Sequence, residues 1–104
     1  MAWLYLFIAG LCEIAWAVGM KYTSGFTKLG PSVFTVIMMI VSFALLAQAL
    51  RHIPLGTGYA IWTGIGAVGT AILGIVLFSE PATLARLACI GLIVVGIVGL
   101  RIVS

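Results

Sequence analysis

Long apolar stretches with almost no charged residues dominate this sequence. Of its 104 residues, 64% are hydrophobic and only 7% are charged, whereas ordinary soluble domains are about half apolar and about one quarter charged. A soluble fold could not hide so much apolar surface, so the composition predicts an integral membrane protein. The length leaves room for one domain, which we place at residues 1–104.

Four of these stretches are long enough to cross a bilayer, since a helix needs about 20 apolar residues to span the hydrocarbon. Polar segments at 21–30, 51–54 and 79–83 separate them. The predicted transmembrane helices cover residues 3–20, 31–50, 55–79 and 84–103. In the fourth stretch, the stems of Arg86 and Arg101 are expected to lie along the helix while their charged heads reach the interface.

Two other interpretations of the apolar stretches are disfavoured. The stretches are continuous rather than alternating, and four strands are too few to close a membrane barrel. A cleaved signal peptide is also a poor fit, because the first stretch has no basic start and contains Glu13. The predicted fold class is therefore all-α, with four transmembrane helices.

Charge bias between the two sides of the predicted bundle is small. With four spans, one side carries two basic residues and the other carries three. They are Arg51 and Arg101 on the first side, and Lys21, Lys28 and Arg86 on the second. Because an excess of basic residues in short loops sets orientation, this near tie predicts dual topology and an antiparallel homodimer.

Small residues on the fourth predicted helix supply a candidate dimer contact. Cys89 and Gly96, together with Ala85 and Gly99, form a stripe where helix backbones can approach closely. Glycine is also frequent in membrane helices for other reasons, so general packing is the alternative interpretation.

Glu13 is the only acidic residue inside a predicted span. An ionised group at the centre of a membrane helix costs at least ~2.5 kcal/mol, and intramembrane acids usually mark ion or substrate paths. The alternative is a protonated carboxyl that is hydrogen-bonded between helices. We predict that Glu13 binds both the substrate and protons.

Aromatic and small residues surround this acid in the predicted helices. Gly10 lies one turn before Glu13 and is expected to leave space for a ligand, while Trp16 lies one turn after it. Tyr59 and Trp62 place aromatic rings on the third helix. Aromatic faces attract cations, with ~2 kcal/mol or more available where water is excluded. The pattern predicts a cation pocket.

Three further residues have two possible roles each. Ser42, the only hydroxyl near the centre of the second helix, can bond the carboxylate or ligand, or the backbone of its own helix. Gly64 and Gly66 weaken the middle of the third helix, which suggests a conformational hinge, although close packing explains them equally well.

Residue types needed for metal binding or catalysis are scarce. Cys12, Cys89 and His52 show no metal-ligand or redox spacing. No nucleophile, base and metal ligand can be gathered into an active site. The scattered basic residues form no patch for nucleic acid. We therefore expect no enzyme activity, no metal, no cofactor and no nucleic-acid partner.

Two segments carry a resemblance that covers the whole chain. GLCEIAWAVGMKYTSGFTKLGPS and IPLGTGYAIWTGIG resemble the glutamate-containing first helix and the aromatic third helix of the small multidrug resistance family. The resemblance implies a proton-coupled exporter in the bacterial inner membrane. It also implies an antiparallel dimer, in which two copies of the glutamate face one substrate.

Within that family the chain resembles the guanidinium-exporting branch. The matching positions are Trp16, Met39, Gly56, Thr57 and the basic residue Arg101. This resemblance implies that Glu13 binds guanidinium and that Ser42 and Trp16 orient it. It also implies that Tyr59 and Trp62 line the pocket. Gly58, where alanine is usual, and Arg101, where lysine is usual, depart from the pattern.

Several functions compete with guanidinium export at this stage. A polyspecific exporter of quaternary ammonium compounds would use the same acid and aromatic residues. A rotor-type proton carrier also uses one mid-membrane acid, but it needs no aromatic pocket. A structural or pore-forming membrane subunit would need no acid at all.

Overall fold

The computed structural model describes residues 1–103 and contains four α-helices connected by short loops. The helices are α1 (Ala2–Tyr22), α2 (Leu29–Ala49), α3 (Leu55–Phe78) and α4 (Leu84–Val103). By length and composition, each of them is apolar and long enough to cross a membrane. Residues 1–103 contain no strand, so the predicted all-α class is confirmed.

Two helix ends extend two residues beyond the predicted spans, and the other ends agree with the predictions to within one residue. α1 continues to Tyr22, beyond the predicted end at residue 20, and α2 begins at Leu29 rather than at residue 31. Pro31 is thus the third residue of α2. It needs no backbone donor there, since the first four amides of a helix have no intrahelical acceptor.

The loop between α1 and α2 turns around the buried side chain of Thr23. Its Oγ1 donates to the Met20 carbonyl at 2.7 Å and accepts from the Phe26 amide at 3.1 Å. Gly25 has a φ of 75°, a left-handed conformation that glycine adopts without steric cost. These contacts reverse the chain within a few residues and place α2 antiparallel to α1.

α1 is the central helix of the bundle. It packs along both α2 and α3, whereas α4 packs mainly on α3 and reaches α1 through Arg101, which lies over the Trp3 ring. None of the α4 residues Leu84–Val103 is buried. Most of the α4 surface is therefore free to contact lipid or another protein chain.

The buried apolar core lies near the α2–α3 turn, at one end of the bundle. Its side chains come from the first half of α1, the last turn of α2, the turn itself and the first half of α3. They are Leu6, Ala9, Leu46, Ala49, Ile53, Ile61 and Trp62. These core side chains are closely packed, so water is excluded from between them.

Glycines allow α1 and α3 to approach closely. A Cβ atom added at Gly10 would lie 2.8 Å from Cβ of Ile65, and one added at Gly69 would overlap Ile14. Each helix therefore inserts an isoleucine side chain into the space that a glycine leaves on the other.

We predict that Gly10→Ala destabilises the protein because the new methyl group meets the rigid Cβ of Ile65. Overpacking of this kind costs about 1–3 kcal/mol, which outweighs the ~1 kcal/mol that alanine gains over glycine in a helix. The thermal midpoint in detergent should fall. Gly91→Ala is the matched control, because nothing lies within 4 Å of the added atom. An equal fall in both variants would contradict this account of the α1–α3 contact.

Candidate cation-binding site

Glu13 lies in the middle of α1, with its carboxyl group against the backbone of Gly66 in α3. A Cβ atom at Gly66 would overlap Cδ and Oε1 of Glu13, so the absence of a side chain there makes room for the acid. Oε1 is buried, and it has no hydrogen-bond partner in residues 1–103. Buried polar atoms nearly always have partners. The carboxyl is therefore positioned to take a proton or a cation.

Ser42 links three helices through its fully buried hydroxyl group. Oγ donates to the carbonyl of Ala9 in α1 at 2.8 Å and accepts from Nε1 of Trp62 in α3 at 3.0 Å. In this conformation the hydroxyl bonds neither Glu13 nor its own helix, which are two of the three partners that the sequence suggested; the third is the ligand. Ala9 is four residues before Glu13, about 6 Å along the helix axis. Ser42 therefore fixes Trp62 one turn away from the acid.

Four aromatic rings form a continuous row beside this link. Trp16 contacts Phe43 with a centroid distance of 6.1 Å, Phe43 contacts Trp62 at 5.7 Å, and Trp62 contacts Tyr59 at 5.6 Å. The rings meet edge-on or tilted, which is a favourable arrangement for aromatic pairs. The structure thus brings together the predicted residues Trp16, Tyr59 and Trp62.

Phe43 completes this row and was missed in the sequence analysis. A phenylalanine in an apolar span has no feature that distinguishes a pocket residue from one that faces lipid. Only its position between two tryptophans identifies it.

Thr70 belongs to the same partly polar face of α3 as Tyr59, Trp62 and Gly66, which helical spacing predicts. It lies one turn after Gly66 on α3, and its Oγ1 is buried without a partner in residues 1–103. Hydroxyl and carboxylate oxygens both accept hydrogen bonds from N–H donors. Glu13 and Thr70 therefore offer two unfilled acceptors along the α1–α3 contact.

The three glycines that were predicted for the site all lie at helix contacts. The space at Gly10 is filled by Ile65, so the expectation that it admits a ligand needs correction. Gly64 faces α4, where an added Cβ would lie 2.8 Å from Cδ1 of Ile97. α3 runs unbroken through Gly64 and Gly66, and a hinge at these two positions stays a prediction.

The two predicted dimer-contact residues are exposed on α4. Cys89 is a free, exposed cysteine. An added Cβ at Gly96 would meet nothing within 4 Å. Both positions are accessible to a partner in the isolated chain.

We predict that Ser42→Ala leaves the buried indole N–H of Trp62 without an acceptor. A buried donor that loses its partner costs about 1–3 kcal/mol, so the thermal midpoint should fall. In ¹⁵N NMR spectra the Trp62 indole signal should shift strongly. The Trp16 indole is an internal control, because its Nε1 has no partner in residues 1–103. A larger shift of Trp16 than of Trp62 would disprove the assignment of the Ser42 acceptor.

Comparison with known proteins identifies the family. The model of the Small Multidrug Resistance protein family matches residues 1–93. The chain is 58% identical to a guanidinium exporter of Proteus vulgaris over 100% of both chains. It is 59% identical to a guanidinium exporter of Citrobacter freundii, covering 98% of this chain and 97% of that protein. The protein therefore belongs to the small multidrug resistance family.

Proposed function

We propose that this multi-pass membrane protein exports guanidinium ion in exchange for protons, and that it does so across the bacterial inner membrane. The single observation that carries the proposal is the buried Oε1 of Glu13, which lies against Gly66 without a hydrogen-bond partner in residues 1–103. Relatives that are 58–59% identical and carry the name guanidinium exporter support the choice of substrate. The family consists of transporters, in agreement with the expectation that the chain is not an enzyme.

The chemistry of guanidinium suits the unfilled acceptors of this site. The ion is planar and always charged near neutral pH, and its paired N–H donors match the two oxygens of a carboxylate. Glu13 would supply the counter-charge, and Oγ1 of Thr70 would accept a further N–H. The neighbouring aromatic row offers ring faces to a cation. Ser42 contributes by holding the Trp62 ring in place.

Proton exchange follows from competition for one carboxyl group. A proton and a guanidinium ion cannot occupy the same oxygens of Glu13, so binding of one releases the other. An empty, ionised carboxylate is costly at the membrane centre, which favours reorientation of the occupied protein. A proton gradient then drives export. In this scheme Glu13 is the only residue that must exchange a proton.

The two ends of the bundle differ in packing, which supports alternating access. The buried apolar core closes the end near the α2–α3 turn. Toward the other end, a cavity of about 380 Å³ opens between α1 and α3, and its lining includes Ala17, Lys21 and Thr70. We infer that a cation reaches the Glu13–Gly66 contact from this open end. Gly64 and Gly66 remain the proposed hinge for the opposite conformation.

An antiparallel homodimer is part of the proposal, with each protomer a single four-helix domain. The α4 helix leaves most of its surface uncovered. Exposed Cys89 and Gly96 offer small side chains for close contact with a second copy. In such a dimer the open ends of the two protomers face opposite sides of the membrane, and two copies of Glu13 share one substrate.

We predict that Glu13→Gln abolishes exchange, because glutamine removes both the counter-charge for guanidinium and the exchangeable proton. In proteoliposomes with an imposed pH gradient, guanidinium should move no faster than in protein-free vesicles. Proton release on addition of guanidinium should also disappear.

Glu80→Gln is the matched control for this experiment. Glu80 is the only other acidic side chain, and its ion pair with Arg86 is exposed. Exposed pairs contribute little to stability, about 0–1 kcal/mol. Glu80 also lines the α1–α3 cavity, so its loss should slow cation entry, but transport against the gradient should persist because Glu13 is retained. Guanidinium movement against its gradient by the Glu13→Gln protein would refute the mechanism.

The antiparallel arrangement predicts a specific disulfide. Cys89 lies five residues after the start of α4, and Gly96 lies seven residues before its end. Aligning the midpoints of two antiparallel α4 helices therefore brings these positions within about 3 Å of the same depth. In a Cys12→Ala background, Gly96→Cys should crosslink to Cys89 of the partner on mild oxidation. In the Cys12→Ala protein that keeps Gly96, a disulfide between the two copies of Cys89 would instead indicate a parallel dimer.

A further inference from the structure

In residues 1–103, no acidic side chain pairs with the positive charge at the end of the bundle near the α2–α3 turn. This end carries Arg51, which follows α2, and Arg101, near the end of α4. The only two acidic side chains of the protein lie elsewhere. Glu13 is in the middle of α1, and Glu80 lies at the opposite end, 3.3 Å from Arg86 in the one ion pair found in residues 1–103. The two arginines are therefore available to pair with an anion from outside these residues.

An apolar crevice lies next to Arg101, between α1, α3 and α4. Its volume is about 210 Å³. Besides Arg101 it is lined by Trp3, Leu6, Phe7, Ile61, Ile65 and Ile97. The crevice therefore combines an apolar wall with a single cationic group.

Trp3 connects this crevice to a second, more polar recess. The guanidinium carbon of Arg101 lies 4.4 Å from the centroid of the Trp3 ring. Trp3 also lines a recess of about 590 Å³ that contains Gln48, Arg51 and His52. Arg51 makes only a neutral hydrogen bond there, from Nη1 to Oε1 of Gln48 at 3.3 Å. Tryptophan and arginine at the ends of spans lie at the level of the lipid headgroups.

We propose that this surface binds one anionic phospholipid, with the phosphate between Arg101 and Arg51 and an acyl chain in the apolar crevice. Guanidinium groups pair with phosphate oxygens in a fork geometry, and basic pockets between transmembrane helices bind lipid headgroups. A zwitterionic lipid fits less well, because this end offers no carboxylate side chain to its ammonium group. The site is separate from Glu13 and does not depend on which cation the protein transports.

Native mass spectrometry of the full-length protein tests this site with phosphatidylglycerol as the probe. Arg101→Gln should lower the fraction with bound phosphatidylglycerol about fivefold, the loss expected for one basic residue near a lipid phosphate. Arg101→Lys should keep most of the lipid binding, because the positive charge is retained. This variant distinguishes loss of charge from loss of folding. Arg86→Gln, at the opposite end, is the matched control and should bind as the unmodified protein does.

Thermal stability distinguishes the possible ligands. Phosphatidylglycerol should raise the thermal midpoint of the unmodified protein, while phosphatidylethanolamine and inorganic phosphate should not. An equal rise of the thermal midpoint with inorganic phosphate would mean that no acyl chain occupies the apolar crevice. An equal rise with phosphatidylethanolamine would mean that the site does not select a negatively charged lipid. Equal losses of lipid in Arg101→Gln and Arg86→Gln would mean a general attraction of charges. Each of these results would overturn the proposal.

A second protomer is the other possible occupant of the crevice. With both native cysteines replaced by alanine, Phe7→Cys should react with an apolar maleimide in the dimer and should be protected by phosphatidylglycerol. A disulfide between two copies of residue 7, formed with no loss of bound lipid, would show that protein and not lipid covers this surface.

Discussion

The contact between the Glu13 carboxyl and the Gly66 backbone is the constraint on which the site depends. It exists because α3 has no side chain at Gly66, so α1 can hold an acid directly against the neighbouring helix. The same contact leaves Oε1 buried with an empty hydrogen-bonding position. A carboxyl in a dry environment needs a proton or a counter-ion, and a transporter can use that requirement to exchange one for the other.

The surrounding structure differs on the two sides of this acid. The link from Trp62 through Ser42 to the Ala9 carbonyl joins three helices on the closed side of the site. The apolar core lies beyond this link, whereas the other end of the bundle contains the cavity between α1 and α3. The core side chains therefore close one side of the site, and the cavity between α1 and α3 lies on the other. Most of the α4 surface is exposed and lies outside this arrangement.

Much of the fold could be predicted from the sequence because the membrane imposes simple rules. Length and hydropathy identify the four spans, since every backbone group in hydrocarbon must be bonded within a helix. Glu13 was identifiable because an acid in a span is costly and rarely accidental. The aromatic residues Trp16, Tyr59 and Trp62 were identifiable by type, because aromatic faces are the usual companions of a buried cation.

The partners of the site residues could not be predicted in the same way. Gly10 was expected to admit a ligand, but it receives Ile65. Ser42 was expected to bond the acid, the ligand or its own helix, yet it bonds a backbone carbonyl of α1 and an indole of α3. Phe43 attracted no attention because phenylalanine is common in apolar helices. In every case the missing information was the rotation of one helix relative to another.

The sequence by itself determined that the chain forms four membrane-crossing helices and that one of them carries the only acidic residue found in any span. Both conclusions depend on the solvent preference of each residue, which is a local property. Only the tertiary structure decided that the acid meets Gly66, that Ser42 holds Trp62, and that α4 stays uncovered within the protomer. These features depend on side-chain shape at close range. Successive residues of a helix point about 100° apart around its axis, so turning a helix by that angle would replace the residues at every contact.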